Sequence, residues 1–180
     1  MERFIMQDLI AWKNREDRKP LILLGARQVG KTYILKEFGQ REFENVAYIN
    51  CDNNAMAKDL FASDYNIDRI LLTIGAITGV NIEAGKTLII MDEIQELHRG
   101  LASLKYFCEN AREYHVAVAG SLLGLSLHQG ESYPVGKVNT LEMYPMTFEE
   151  FLWARGFKQR MDLLQHGMWD VVKSLRTLYI

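Results

Sequence analysis

The sequence predicts an α/β fold with a central parallel sheet of about five strands and helices on both faces. Three observations favour this class. Short apolar runs alternate with amphipathic helical segments along most of the 180 residues. A glycine-containing octamer, Gly25–Thr32, follows the first apolar run, and a later run over 87–91 ends in the acidic pair Asp92-Glu93. Because ligands bind at the carboxyl ends of parallel strands, both polar motifs are predicted to meet at one edge of the sheet.

The individual elements are predicted from the period of the apolar residues. An amphipathic helix over 2–15 comes first, and strands are predicted over 21–24, 46–50, 87–91, 116–119 and 137–143. Further helices are predicted over 33–38, 54–62, 66–79, 99–113, 147–153 and 161–178. Gly39 is a natural stop for the second helix, and Pro145 ends the last strand. Thr147 and Glu150 form a capping-box pattern, and the stretch 122–136 is predicted to be a mobile loop.

The octamer after the first strand is a complete G-x-x-x-x-G-K-[ST] phosphate loop, made of Gly25, Ala26, Arg27, Gln28, Val29, Gly30, Lys31 and Thr32. Its glycines let the backbone wrap closely around phosphate, and the following helix points unpaired N–H groups at the anion. Lys31, expected to be solvated without ligand, would reach the β- and γ-phosphates of a bound nucleotide. Thr32 would coordinate Mg²⁺. The octamer and Tyr33 are therefore predicted to bind the nucleotide.

The acidic pair at the end of the 87–91 run has the form of a Walker B element. Strand alternation points Asp92 and Glu93 in different directions, which allows them different roles. Asp92 is predicted to hold the metal with Thr32, and Glu93 to polarise the water that attacks the γ-phosphate. A glutamate beside the metal-binding aspartate favours hydrolysis over transfer to a small acceptor, since a kinase must exclude water.

Composition limits the classes of function. The 180 residues are 48% hydrophobic, enough for one globular domain with a substantial core. A net charge of −2 gives no overall basic field, so nucleic-acid binding is neither supported nor excluded. Cys51 and Cys108 show no metal-binding spacing, and the four histidines show none either. The beginning of the chain lacks a signal-peptide pattern and no apolar run reaches ~20 residues, so we expect no membrane association and a cytoplasmic location.

Four segments together carry a family resemblance: the Gly25–Thr32 loop, Asp92-Glu93-Ile94-Gln95, Gly120-Ser121, and the stretch 141–151. In these segments the chain resembles predicted AAA-type ATPases of bacteria and archaea that carry a C-terminal domain of unknown function. The likeness extends over nearly all 180 residues. The strings Gly-Ala-Arg-Gln and Tyr-Pro-Met-Thr-Phe-Glu-Glu-Phe are fairly specific to that group, whereas the two Walker elements alone are not.

The resemblance implies a P-loop ATPase core, a three-layer sandwich in which an additional strand separates the Walker B strand from the phosphate-loop strand. It places Ser121 at a catalytic sensor position near the γ-phosphate. Without the resemblance, Ser121 could equally be a turn residue whose hydroxyl bonds to its own backbone. The family's usual Gly-Arg is replaced here by Gly136-Lys137, and a lysine cannot supply the bidentate fork of a guanidinium. Family members continue beyond residue 180, so we expect an ATPase core over 1–155 and the start of a truncated C-terminal helical region over 156–180.

The resemblance and the motifs leave several functional alternatives open. The first helix either floors an adenine pocket or merely covers the sheet. The chain could be a nucleotide-dependent binding switch with vestigial hydrolysis, or a small-molecule kinase if 122–136 were a lid with phosphate-clamping arginines. That segment contains no arginine, which counts against a kinase. The partners we expect are ATP, and either a second copy of the chain or its own C-terminal region.

Overall fold

A computed structural model of the chain describes residues 2–52, 54–58, 60–61, 64–121 and 133–156. These residues form two compact units, one over 6–144 and the other over 2–5 together with 145–156. The predicted mobile loop falls largely outside the described residues, and the predicted helix over 161–178 falls entirely outside them. The predicted domain boundary at 155/156 stays a prediction.

The described elements alternate between strands and helices. The strands are β1 (Leu21–Gly25), β2 (Asn45–Asn50), β3 (Thr87–Asp92), β4 (His115–Ser121) and β5 (Asn139–Met143). The helices are α1 (Ile5–Lys13), α2 (Lys31–Glu42), α3 (Ala55–Lys58), α4 (Ile67–Thr78), α5 (Gly100–Asn110) and α6 (Phe148–Ala154), with a 3₁₀ turn over Ile94–Glu96. The predicted elements in the described part of the chain are therefore present, most with boundaries within a few residues of the prediction.

All five strands are parallel and lie in the order β2-β3-β4-β1-β5. The predicted α/β class with a parallel sheet is confirmed. The strand β4 separates β1 from β3, as the resemblance implied. At the carboxyl edge of the sheet, Gly25 is the register partner of both Ser121 and Met143, and Asp92 is the partner of Asn50. The two polar motifs are thus brought to the same edge.

The sheet is buried because apolar side chains cover it. All six residues of β3 are buried, which is expected of a central parallel strand. Helix α4 contributes Ile70, Leu71 and Ile74 to the core, and Asn66 caps its first turn by accepting a hydrogen bond from the N–H of Arg69.

The predicted helix stop at Gly39 is wrong, since α2 continues to Glu42. A Cβ at Gly39 would lie 2.7 Å from a methyl carbon of Val46 and 3.2 Å from one of Leu88. The glycine therefore allows α2 to pack closely on β2 and β3, and does not end the helix. The helix ends where the N–H of Phe43 bonds to the carbonyl of Gly39.

The smaller unit is held by the capping box that the sequence predicts. Thr147 accepts a hydrogen bond from the N–H of Glu150, and Glu150 accepts one of 2.8 Å from the N–H of Thr147. The other carboxylate oxygen of Glu150 accepts the N–H of Phe4 at 2.9 Å and lies 3.0 Å from Nε of Arg3. This buried carboxylate therefore ties residues 2–5 to α6.

Candidate active site

The loop Gly25–Thr32 connects β1 to α2 through a strained, tightly curled backbone. Gln28 and Gly30 adopt positive φ angles of 65° and 96°. Gly30 suits this conformation because it has no Cβ. A Cβ on Gly25 would lie 2.4 Å from the carbonyl oxygen of Met143, so only glycine allows the end of β5 to pass this close. The glycines at positions 25 and 30 therefore allow the loop to leave β1 and to enter α2 in this conformation.

The Lys31 side chain is turned into the loop. Its Nζ donates hydrogen bonds to the carbonyls of Gly25, at 3.0 Å, and Ala26, at 2.8 Å. Lys31 is only 6% exposed, so the expectation that it is solvated without ligand is wrong. Neutral carbonyls are weaker partners for an ammonium group than charged oxygens are. The lysine charge is therefore available for exchange to a phosphate oxygen within the same loop.

Thr32 and Asp92 bring the loop and the acidic strand end together. The Thr32 hydroxyl donates a hydrogen bond of 2.6 Å to Oδ2 of Asp92, which is 60 residues away in sequence. Asp92 is 5% exposed, and its Oδ1 accepts the N–H of Glu93 at 3.2 Å. A hydroxyl and a carboxylate are the hard oxygen ligands that Mg²⁺ takes from proteins, the remaining positions being filled by water and phosphate. The residues present fit a Mg²⁺ site.

Glu93 has different surroundings from Asp92 because it is the first residue after the end of β3. β3 ends at Asp92, and Glu93 has left-handed backbone angles of φ 53° and ψ 47°. The two carboxylates have separate surroundings as predicted, but the cause is this turn and not strand alternation. Nε2 of Gln95 donates to Oε2 of Glu93. Gln95 is 7% exposed, and its amide oxygen has no hydrogen-bond partner among the described residues.

A cleft of about 520 Å³ opens over the loop. It is lined by Arg27, Gln28, Gly30, Lys31, Thr32, Tyr33, Asp52, Glu93 and Glu96. Seven of these nine residues were predicted as site residues, whereas Asp52 and Glu96 were not. Gly25, Ala26 and Val29 do not line the cleft, and the first two contribute the backbone that holds Lys31.

The AAA domain family matches residues 17–152, a range that includes the whole sheet and the cleft. The chain belongs to this family. It is 31% identical over 145 residues to an uncharacterized protein of Methanocaldococcus jannaschii, in an alignment that covers 76% of this chain and 28% of that protein. The chain therefore spans less than a third of the length of this curated relative.

Among solved structures, the AAA domain is similar to the ORC1 protein of Aeropyrum pernix, solved in complex with DNA. The match has 14% identity and a TM-score of 0.47, and covers 86% of this chain and 47% of that chain. No helix among the described residues of the AAA domain combines the length and the apolar character needed to cross a bilayer.

Ser121 is the last residue of β4 in the AAA domain. Its backbone is paired in register with Gly25, the first residue of the loop. Its side chain lies outside the described part of the structure, so the sensor role of Ser121 stays a prediction. The strand order explains why a residue at the end of β4 comes beside the loop: β4 is the neighbour of both β1 and β3.

Two basic residues have surroundings that the sequence did not indicate. Lys137 precedes β5 and pairs with Glu109 at 2.8 Å, so it lies at the edge of the sheet opposite the loop and cannot add charge to the cleft. Arg99 donates a hydrogen bond of 3.0 Å to the Tyr65 hydroxyl, and its guanidinium lies 4.3 Å from the centre of the Tyr65 ring. The guanidinium of Arg99 is therefore engaged with Tyr65.

Tyr48 is a site neighbour that sequence reasoning missed. It donates a hydrogen bond of 3.2 Å to Oδ2 of Asp92. Burial, followed by the charge of Asp92, raises the pKa of Tyr48 to about 12. Burial and the charges of Asp92 and Glu93 likewise raise the pKa of Cys51 to about 12. Both groups are therefore neutral near pH 7, and the sequence held no signal for either because their proximity depends on strand register.

Proposed function

We propose that this AAA domain binds ATP, hydrolyses it with Mg²⁺, and couples the nucleotide state to conformational change. The proposal depends above all on the 2.6 Å hydrogen bond between Thr32 and Asp92. This contact joins the phosphate-loop motif to the acidic strand end, beside a cleft that Lys31 and Glu93 line.

Triphosphate binding is assigned to the loop and the beginning of α2. The N-terminus of this 12-residue helix carries unpaired N–H groups and the positive end of the helix dipole, which favour an anion. Lys31 would exchange its two carbonyl partners for phosphate oxygens. Tyr33, which is 52% exposed at the cleft, would contact the nucleotide from the first turn of the helix.

The catalytic roles are divided between the two acidic residues. Thr32 and Asp92 would hold Mg²⁺, which when bound neutralises negative charge on the phosphates. Glu93 reaches the cleft and would orient and polarise the attacking water. Ser121 would report on the γ-phosphate from the end of β4, next to Gly25.

A nucleotide-dependent binding switch is the second candidate. The observation that favours it is the scarcity of guanidinium groups at the cleft: among the described lining residues, Arg27 alone carries one. A switch would bind ATP·Mg²⁺ tightly and turn it over negligibly. The kinase alternative stays a prediction, because most of the 122–136 segment lies outside the described residues.

The wider assignments belong to the same proposal. A preference for ATP over GTP rests on the family resemblance. The partner that receives the conformational signal would be a second copy of the chain or a C-terminal region that begins near residue 156, with 1–155 as the ATPase core. A cytoplasmic location belongs to the same proposal.

The deciding experiment measures two quantities, the nucleotide retained by the purified protein and the rate at which the protein hydrolyses ATP. Mass spectrometry of nucleotide released from the purified, denatured protein is expected to find ATP or ADP. Phosphate release with ATP and Mg²⁺ is expected to exceed that of the same protein in EDTA. Nucleotide binding without Mg²⁺-dependent turnover would favour the switch, and absence of binding would contradict both candidates.

A further inference from the structure

The Asp92 carboxylate is held by donors from three places in the fold. Thr32 at the beginning of α2 and Tyr48 on β2 both donate to Oδ2, at 2.6 and 3.2 Å. The N–H of Glu93 donates to Oδ1 at 3.2 Å. Asp92 is 5% exposed, so these bonds act where few water molecules can replace them. The orientation of the carboxylate therefore depends on its protein partners.

Tyr48 is itself held from the side of α2. Nζ of Lys36 lies 3.4 Å from the centre of the Tyr48 ring, the geometry of a cation–π contact. Lys36 follows Thr32 by four residues, so both side chains lie on one face of α2. The helix thus contacts Asp92 twice, directly through Thr32 and indirectly through Lys36 and the Tyr48 ring.

We propose that Tyr48 is a positioning residue for the metal site, its hydroxyl fixing the Asp92 carboxylate while Lys36 fixes its ring. This inference rests on the proposed function, since it concerns the same Mg²⁺ site. The physical reason is the strict ligand geometry that Mg²⁺ demands. Groups that hydrogen-bond to a metal-binding carboxylate set its orientation, and losing one weakens metal affinity by ~10- to 100-fold.

Tyr48 meets the requirements of such a donor. Its phenol O–H is a hydrogen-bond donor, and it lies 3.2 Å from Oδ2 of Asp92. Without the hydroxyl, Oδ2 of Asp92 would keep the Thr32 bond alone, and the carboxylate could rotate about it. The loss would fall on metal binding. The loop and Lys31, which bind phosphate, would be unaffected because Tyr48 does not line the cleft.

The test measures metal binding directly. Mn²⁺ replaces Mg²⁺ as the probe, and its electron paramagnetic resonance signal reports binding to the full chain in the presence of ADP. Tyr48→Phe removes the hydroxyl and keeps the ring. We expect Mn²⁺ affinity to fall about 10-fold, while ADP affinity in EDTA, measured by calorimetry, stays within about 2-fold. Tyr114→Phe is the matched control, because Tyr114 lines a separate cleft beside α4.

A second pair of variants tests the Lys36 contact. Lys36→Met keeps the aliphatic stem and removes the charge, and we expect a fall of ~3-fold in Mn²⁺ affinity. A Tyr48→Leu background has no ring for Lys36 to contact. In that background, Lys36→Met is expected to cause no further fall in Mn²⁺ affinity. An equal effect in both backgrounds would overturn the part of the proposal that concerns Lys36.

The outcomes separate this inference from the proposed function. If the wild-type chain binds no Mn²⁺ with ADP, the proposed function fails. If the wild-type chain binds it and Tyr48→Phe behaves as Tyr114→Phe does, the positioning role of Tyr48 is overturned and the site stands. Should circular dichroism show that Tyr48→Phe does not fold, Lys36→Met carries the test, and unchanged Mn²⁺ affinity there overturns the proposal.

Discussion

Thr32 and Asp92, 60 residues apart in sequence, share a 2.6 Å hydrogen bond at the carboxyl edge of the sheet. The strand that leads into the loop, β1, and the strand that ends at Asp92, β3, are not neighbours in the sheet, because β4 lies between them. The contact therefore crosses over β4, from the beginning of α2 to the end of β3. A hydroxyl and a carboxylate that meet in this way define where a metal ion and a phosphate group would lie.

Lys31→Ala is expected to weaken ATP binding by roughly 10- to 100-fold, because a charge-assisted hydrogen bond contributes ~1.5–3 kcal/mol. The loop also loses the two bonds from Nζ to Gly25 and Ala26, so we expect a small decrease in melting temperature. Calorimetric titration with ATP measures the affinity. Lys137→Ala, at the opposite edge of the sheet, is the control and should bind ATP as the wild type does. Equal affinities in the two variants would contradict the assigned phosphate site.

Glu93→Gln is expected to separate binding from chemistry. The amide keeps the shape of the side chain but cannot polarise water, so ATP·Mg²⁺ should still bind while hydrolysis falls by roughly 10²-fold or more. Phosphate release under saturating ATP measures the effect. Glu96→Gln is the matched control, since Glu96 is an exposed carboxylate lining the same cleft. If both variants keep wild-type turnover, the role assigned to Glu93 is wrong.

Local motifs were sufficient to predict which segments lie together at the cleft. The octamer and the acidic strand end each consist of a few adjacent residues, and alternation of strands and helices was enough to place both at one edge of the sheet. Features that depend on packing between distant segments were not predictable. Gly39 serves contact with Val46 and does not stop α2, and Tyr48 reaches Asp92 only because β2 and β3 pair in one register.

Lys31 and Lys137 show the same difference between what a local motif predicts and what packing between distant segments decides. The motif predicts that Lys31 faces phosphate, but no local pattern predicts that its Nζ donates to two carbonyls of the loop. Lys137 follows Gly136, and no local motif predicts that it pairs with Glu109. Which edge of the sheet a residue occupies depends on the direction of its strand, and β5 begins only after Lys137.

His115 is expected to make stability depend on pH. It is 7% exposed, and burial, followed by the charges of Arg18 and Lys13, lowers its pKa from 6.5 to about 4. Below pH 6.5 the unfolded chain takes up a proton on this imidazole that the folded chain does not accept until about pH 4. Stability from this residue is therefore complete above pH 6.5 and falls as pH decreases through that window, by on the order of 3 kcal/mol.

Urea unfolding at pH 7.5, 6 and 5 measures this effect. His115→Gln keeps a hydrogen-bond acceptor for Arg18 and removes the titrating group, so its unfolding free energy should change less with pH than that of the wild type. The two proteins share every other ionisable residue, so the comparison isolates the contribution of His115. Parallel pH profiles for the two proteins would show that His115 does not resist protonation in the folded state.

The isolated chain is expected to hydrolyse ATP slowly, and faster per molecule as its concentration rises. A planar guanidinium against the γ-phosphate contributes ~10³- to 10⁵-fold to phosphoryl transfer. Among the described residues, Arg27 alone brings a guanidinium to the cleft, and it is exposed within the loop itself. Arg99 is engaged with Tyr65, and Lys137 lies at the other edge with Glu109. The missing arginine would then come from a second copy or from the C-terminal region.

Specific activity measured against protein concentration tests this expectation, with the association state followed by light scattering. A rate that rises as dimers or larger assemblies form supports an arginine supplied between copies. Arg27→Lys tests whether Arg27 itself contacts the γ-phosphate, because lysine keeps the charge but loses the two-point clamp on phosphate. The prediction would be overturned if the monomer hydrolysed ATP at a fast rate that did not depend on concentration, and if Arg27→Lys abolished this rate while ATP affinity was retained. Arg27 would then be an arginine that acts within its own chain.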